Sequence, residues 1–261
     1  MSEAVLEIST AGAVAQVRLA RPGVRNAFNA EVIGELHRAF ERLGADAGVR
    51  AIVLSGEGKT FCGGADINWM RGSLELSRDE NVADAQRMSE MFRTIDRCSK
   101  PVIARVHGAA LGGGAGLVAV CDIAIASEET IFGFTETKLG ILPAVISPFV
   151  LAKIGESHAR ALFLTGERFD TKRAAAIGLI HEVVAPDDLD AAVQRVVEEI
   201  ETAGPSAIAV AKQMIAKVSA ATYDDSRDIT AHAIAQQRTS PEGQEGLRAF
   251  LERRKASWTE Q

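Results

Sequence analysis

The 261-residue chain predicts an α/β core followed by a helical C-terminal region. Three observations predict it. Over residues 1–190, short β-type runs alternate with amphipathic segments, whereas residues 191–261 read as helices. Two glycine-rich turns, FCGGADI (Phe61–Ile67) and ALGGGAGL (Ala110–Leu117), each follow a strand-like run. No low-complexity linker interrupts the chain, so one core with a helical extension is expected.

Taken in order, Val14–Leu19 is a β-type run closed by Arg21-Pro22-Gly23. From Glu31 to Leu43, apolar residues at Val32, Leu36, Ala39, Phe40 and Leu43 recur at three and four, which marks one helical face. Arg50–Ser55 is a compact buried-strand run ended by Gly56 and Gly58. Arg78–Arg97 is helical, with Met88, Met91, Phe92 and Ile95 on one side. Val102–Val106 is a strand that turns at His107-Gly108, Gly113–Val120 a short helix beginning inside the glycines, and Ile123–Ala126 a further strand. Helices dominate from Val145, interrupted at Leu179–Val184. Gly204-Pro205 separates Leu189–Thr202 from Ser206–Ala221, and Ser240-Pro241 opens a terminal helix.

Composition removes several function classes. A formal charge of −6 opposes a broad nucleic-acid surface, which needs a basic face. No apolar run approaches the roughly 20 residues that span a membrane, and MSEAVLEIST carries an early Glu and no apolar signal core, so a cytoplasmic location is expected. Cys62, Cys98 and Cys121 are odd in number and lack a CxxC pair, which predicts reduced thiols, with Cys62 a small packed residue. Gly58-Lys59-Thr60 lacks the earlier glycine of a phosphate loop, since Val53 stands there. Leu117 takes the third glycine position of a dinucleotide fingerprint in the Gly112–Gly116 cluster. There is no GxSxG elbow, and the five histidines show no ligand spacing, so no metal site is expected.

What remains is the pair of glycine turns. Backbone N–H groups exposed by two such turns can converge on one oxygen and stabilise negative charge developing there. The alternative is that the glycines only permit close packing. A carboxylate also stands out: Glu136 lies among Phe132, Phe134, Leu139 and Ile141, where an apolar environment raises its pKa toward the range that suits proton exchange. An ordinary ion pair with Lys138 is the competing role; Thr135 and Thr137 are placed to orient the carboxyl.

FCGGADI, GAALGGGAGLVAVCDIAIA and FGFTETKLGILP occur in that order, together with RPGVRNAFN, LTGERFDTKRAAAIGLIHEVV and SPEGQEGLRAFLERRK. In combination these segments resemble the enoyl-CoA hydratase/isomerase, or crotonase, superfamily over nearly the whole chain. The resemblance implies a spiral of ββα units (residues 1–190), with C-terminal helices (residues 191–261) that cover the site and build a homotrimer or a dimer of trimers. It implies an acyl-CoA thioester as the partner and no separate cofactor, CoA arriving as part of the substrate. Ala65 and Gly113 would donate to the thioester oxygen. Asp66 and Ile67 would lie against the CoA adenine, Arg25 near its phosphates, and Gly112 and Gly116 within the substrate-binding turn. Glu136 matches a family acid/base, but Gly116 stands where hydratases carry a first glutamate. Three readings follow. One is hydration of a 2-enoyl-CoA, with the stretch around Gly116 most similar to bacterial hydratases of branched glutaconyl-type thioesters such as 3-methylglutaconyl-CoA, in fatty acid or leucine catabolism. The others are a Δ3,Δ2-enoyl-CoA isomerase working through Glu136 alone and a catalytically silent CoA-thioester binder.

Overall fold

The computed structural model describes residues 4–259; residues 1–3, which include the early Glu of the N-terminal reading, lie outside them. The elements are β1 (Leu6–Ala11), β2 (Val14–Leu19), α1 (Ala30–Ala45), β3 (Ala51–Gly56), α2 (Ile67–Ser73), α3 (Arg78–Asp96), β4 (Val102–Val106), β5 (Ala109–Leu111), α4 (Gly113–Val120), β6 (Ile123–Ser127), β7 (Ile131–Gly133), α5 (Ser147–Thr165), β8 (Arg168–Asp170), α6 (Thr171–Ala176), β9 (Glu182–Val184), α7 (Leu189–Thr202), α8 (Pro205–Ser219), α9 (Tyr223–Thr239) and α10 (Pro241–Leu251).

A six-stranded sheet runs β1-β2-β3-β4-β6-β9, parallel except for the β1/β2 hairpin, and a three-stranded sheet runs β5-β7-β8. All six residues of β3 are buried, as a parallel strand covered on both faces requires. Ile52 and Leu54 point into the main core, with α1 packed there through Val32, Ile33, Leu36, Ala39, Phe40 and Leu43. Val53 points the other way and joins Val14, Ile103 and Ile125 under Leu189, Ala192, Val193 and Val197 of α7. Thus α7 closes the second face of the sheet. Beyond it, α8 and α9 contain no fully buried residue, and Ile215, Ile234, Leu247, Phe250 and Leu251 are exposed. The Lys212 ammonium ties α8 to the core, donating to Asp122 Oδ2 at 2.7 Å and to the Lys100 carbonyl at 3.2 Å.

The expected α/β architecture with late helices is what the chain adopts. Helix starts follow their caps: Asn29 accepts from the Val32 N–H, Ser77 and Glu80 form a capping box, and Ser240 caps α10. Several elements escaped the sequence reading: the three-residue strands β5, β7 and β8, and also β1, α2 and α9. Strand β1 buries only Leu6, so it shows no alternation and exists through its pairing with β2. Helix α2 is a short helix on a buried Asp cap, and α9 lacks a buried face altogether.

No helix among the described residues is long and apolar enough to cross a membrane.

Candidate active site

The first glycine turn leaves β3 and the second leaves β5, and hydrogen bonds stitch them together. Cys62 N–H donates to the Ala109 carbonyl at 3.1 Å, and Leu111 N–H donates to the Cys62 carbonyl at 3.0 Å. Gly64 sits at φ +98°, and a Cβ there would stand 3.0 Å from the Leu111 carbonyl oxygen, so glycine allows both the turn and the close approach. On its other side the first turn pairs with residues 25–28: Gly63 N–H donates to Arg25 O, Phe28 N–H to Gly64 O and Asp66 N–H to Phe28 O. That pattern turns the Ala65 N–H away from residue 28, and among the described residues it has no acceptor.

Gly113 is the first residue of α4, a position whose N–H has no partner inside the helix. Among the described residues it too has no acceptor. Both donors line one cavity of about 330 Å³. Glu136 lines it as well, with Met88, Trp69 and Ile146 among its apolar walls and Asn81 and Asp84 on the α3 side. The positive dipole end of α4 adds to the preference for negative charge beside Gly113.

Glu136 opens a short 3-10 turn (Glu136–Leu139) directly after β7. Its Oε2 is buried with no hydrogen-bond partner among the described residues, and no ion pair forms with Lys138, which is exposed and packs beside Gly166. Burial pushes the Glu136 carboxyl above its ordinary value, opposed only in part by its own backbone N–H. Thr137 does not orient it, since its hydroxyl donates to the Phe163 carbonyl. Gly112, at φ +51°, lies against the carboxyl: a Cβ there would be 3.1 Å from Glu136 Oε1.

The remaining expected site residues fall outside the cavity wall. Arg25 is exposed at φ +56°, and Ile67 is 70% exposed at the head of α2. Asp66, expected against the ligand, turns inward: its carboxylate caps α2 and pairs with Arg21 at 2.8 Å. Burial alone would raise the Asp66 carboxyl; the Asn68 and Trp69 N–H groups and the Arg21 guanidinium outweigh it and hold it below its ordinary value. Gly116, expected in the substrate-binding turn, lies behind the cavity. A Cβ on it would collide with Ile146 Cγ2 and come 3.2 Å from Phe92 Cε1. The volume a longer side chain at 116 would need is filled by Ile146, so no carboxylate enters from that position.

Cys62 is packed, with its thiol pushed up to about 12 by burial, which leaves it inert as a nucleophile. No metal-binding cluster of His, Cys, Asp or Glu occurs among the described residues. A larger groove of about 800 Å³ crosses β1 and β2, but its Arg18 pairs with Glu7 and its Arg105 with Asp190.

Met88 was legible as a helical-face residue, though not as a cavity wall. Arg21, Asn26 and Ile146 carried no site signal, because their roles arise from long-range contacts.

The profile of the family described as enoyl-CoA hydratase/isomerase matches residues 9–261. The short-chain-enoyl-CoA hydratase of Clostridium acetobutylicum is 32% identical over 94% of this chain and 93% of its own length. The crotonyl-CoA hydratase of Syntrophomonas wolfei subsp. wolfei is 33% identical over 91% of each. The crystal structure of an enoyl-CoA hydratase from Shewanella pealeana superposes with a TM-score of 0.94 at 38% identity, covering 98% of this chain and 96% of that one. With the fold, the paired amide donors and the profile in agreement, the chain belongs to the enoyl-CoA hydratase/isomerase family.

Proposed function

We propose that this protein is an enoyl-CoA hydratase, a hydro-lyase that adds water across the double bond of a 2-enoyl-CoA thioester. One observation carries the reading: two amide donors without acceptors among the described residues, Ala65 and Gly113, share a cavity with the half-buried carboxyl of Glu136. The thioester oxygen accepts from both N–H groups. As water adds to C3, negative charge moves onto that oxygen, and each preorganised donor lowers the barrier by ~3–4 kcal/mol. Glu136 takes a proton from the water while the C3–O bond forms, and a proton returns from its carboxyl to C2 as the enolate collapses. Water is consumed and the carboxylate is restored. The raised pKa of Glu136 brings donation and acceptance closer in energy near neutral pH.

Crotonyl-CoA is the first substrate to test, followed by 3-methyl-branched and glutaconyl-type thioesters, since the sequence segments around Gly116 are similar to hydratases of that branched class. Loss of the enoyl-thioester absorbance with formation of 3-hydroxyacyl-CoA is the expected result; unchanged absorbance with the whole panel rejects hydration. A second reading, Δ3,Δ2-isomerisation, is favoured by the filled space at Gly116, because shuttling a proton between two carbons needs a single base. Growth of absorbance from a 3-enoyl-CoA would select it. If thioesters bind and none reacts, the silent-binder reading stands.

The exposed Arg25 and Ile67 flank the first turn and are proposed to meet the CoA body, which enters as part of the substrate. The exposed apolar side chains of α8–α10 support assembly of residues 191–261 into a trimer, or a dimer of trimers, around the 1–190 core. Light-scattering mass tests that assembly. A cytoplasmic location is proposed with it.

A further inference from the structure

The Ala65 donor is aimed by a relay that starts at a guanidinium. In a trans peptide the C=O and N–H point to opposite sides of one plane. Gly64 O is held by the Phe28 N–H at 2.7 Å, so the N–H of the same peptide unit, that of Ala65, must face the other way, toward the cavity. The peptide before Phe28 is held in the same manner: Arg21 Nη1 donates to the Ala27 carbonyl at 2.6 Å, which points the Phe28 N–H at Gly64. The other arm of Arg21 is fixed on the buried Asp66 at 2.8 Å. A cation and two peptide units, the second of which carries the donor, therefore stand in series, an arrangement in which each hydrogen bond polarises the next.

The strap carrying this relay is built at a cost. Arg25 and Asn26 both adopt left-handed backbone, at φ +56° and +55°, a region that disfavours residues with a Cβ, arginine more than asparagine. Such geometry persists only when its surroundings over-determine it. Here the buried Asn26 side chain does so, donating to the Glu57 and Thr60 carbonyls at 2.9 and 2.7 Å and accepting from the Arg21 N–H at 2.9 Å.

Resting on the hydratase reading, we propose that Arg21 is a positioning residue for the reaction: through the Ala27–Phe28 and Gly64–Ala65 peptides it orients and polarises the Ala65 oxyanion donor without touching substrate. The test measures the carbonyl stretch of butyryl-CoA labelled with ¹³C at the thioester carbon, free and bound, beside steady-state kinetics with crotonyl-CoA. Wild-type protein should lower the stretch on binding. Arg21→Met should lose at least half of that downshift and about 10- to 100-fold in kcat, with KM within about threefold, as expected for a misaimed donor. Arg21→Lys should fall between, since an ammonium can hold Ala27 O but not both partners in a fixed fork. A wild-type downshift fully retained in Arg21→Met, with unchanged kcat, overturns the proposal. If Arg21→Met does not fold, Arg21→Lys decides: an intermediate downshift supports the relay, and a wild-type downshift with wild-type kcat overturns it. Absence of any downshift in the wild type refutes the oxyanion site itself, a separate failure.

Discussion

The two glycine turns serve one cavity but are held in place by different physics. Around the first, Phe61–Ile67, the decisive contacts are polar: Phe28 N–H on Gly64 O, and behind it the Arg21–Asp66 pair and the Asn26 side chain. Around the second, the decisive contacts are steric. The peptide of Gly113 is aimed by the helix itself, because Gly112 O accepts from the Gly116 N–H at 3.0 Å. Its glycines are then hemmed in: a Cβ on Gly113 would meet Phe28 Cε2 at 2.8 Å, one on Gly114 would meet Cys62 Cβ at 2.9 Å as well as the Cys62 carbonyl, and one on Gly116 would strike Ile146. A polar strap can be misaimed while the fold survives. A close-packed turn has no such slack, since interiors transmit volume changes as strain. Damage to the first turn should therefore appear in rate, and damage to the second in stability.

The reference experiment disturbs neither turn. Glu136→Gln removes the acid/base and should cut kcat by about 10²- to 10⁴-fold, the usual worth of such a group. Calorimetric affinity for an unreactive acyl-CoA should stay within about threefold. Turnover near the wild-type level would remove Glu136 from the chemistry.

Next in size, Gly114→Ala tests the steric side of the comparison. The added methyl faces backbone at Cys62, which cannot step aside, so the variant should lose about 3 kcal/mol and on the order of 10 °C in Tm. A Tm within a degree or two of wild type would show that the second turn can yield.

A smaller effect should come from Gly116→Ala, whose main obstacle is a side chain rather than backbone. Combined with Ile146→Ala, which removes the obstructing Cγ2, it should be less destabilising than the sum of the two single changes by about 1 kcal/mol, read by urea denaturation. Strict additivity would separate the two positions.

The smallest effect is a pH dependence. A carboxyl raised in the fold makes the folded state hold more protons than the unfolded one between the two pKa values, so its contribution to stability falls as pH rises through that window. Glu136→Gln should thus melt above wild type near pH 8, with the gap closing toward pH 4. A gap that widens on acidification would contradict the raised carboxyl.

Legibility differed between these same regions. Although the three-residue β5 and β7 that lead into Gly113 and Glu136 were too short to show a pattern, β3, β4, α4 and α7 read well from residue order, because they owe their form to local apolar runs and, in α4, to Gly113-Gly114: Val102–Val106, Gly113–Val120 and Leu189–Thr202 came out with the bounds the structure shows. Strand β1 did not, since its existence depends on β2 rather than on its own pattern. Glu136 was legible as a carboxyl in an apolar loop. The inward turn of Asp66 was not, because nothing in GGADI announces an arginine 45 positions earlier in the chain. The retreat of Gly116 behind Ile146 was equally hidden, since the two meet only where α5 begins beside α4.

Residue order alone decided that two glycine turns would follow strands and that one carboxyl would sit in an apolar loop, because local sterics and hydrophobic period act within a few residues. Only the folded chain decided which way each amide points and which side chains reach the cavity. Those directions follow from hydrogen bonds and contacts between segments distant in sequence, here Arg21 with Ala27 and Asp66, Phe28 with Gly64, and Ile146 with Gly116.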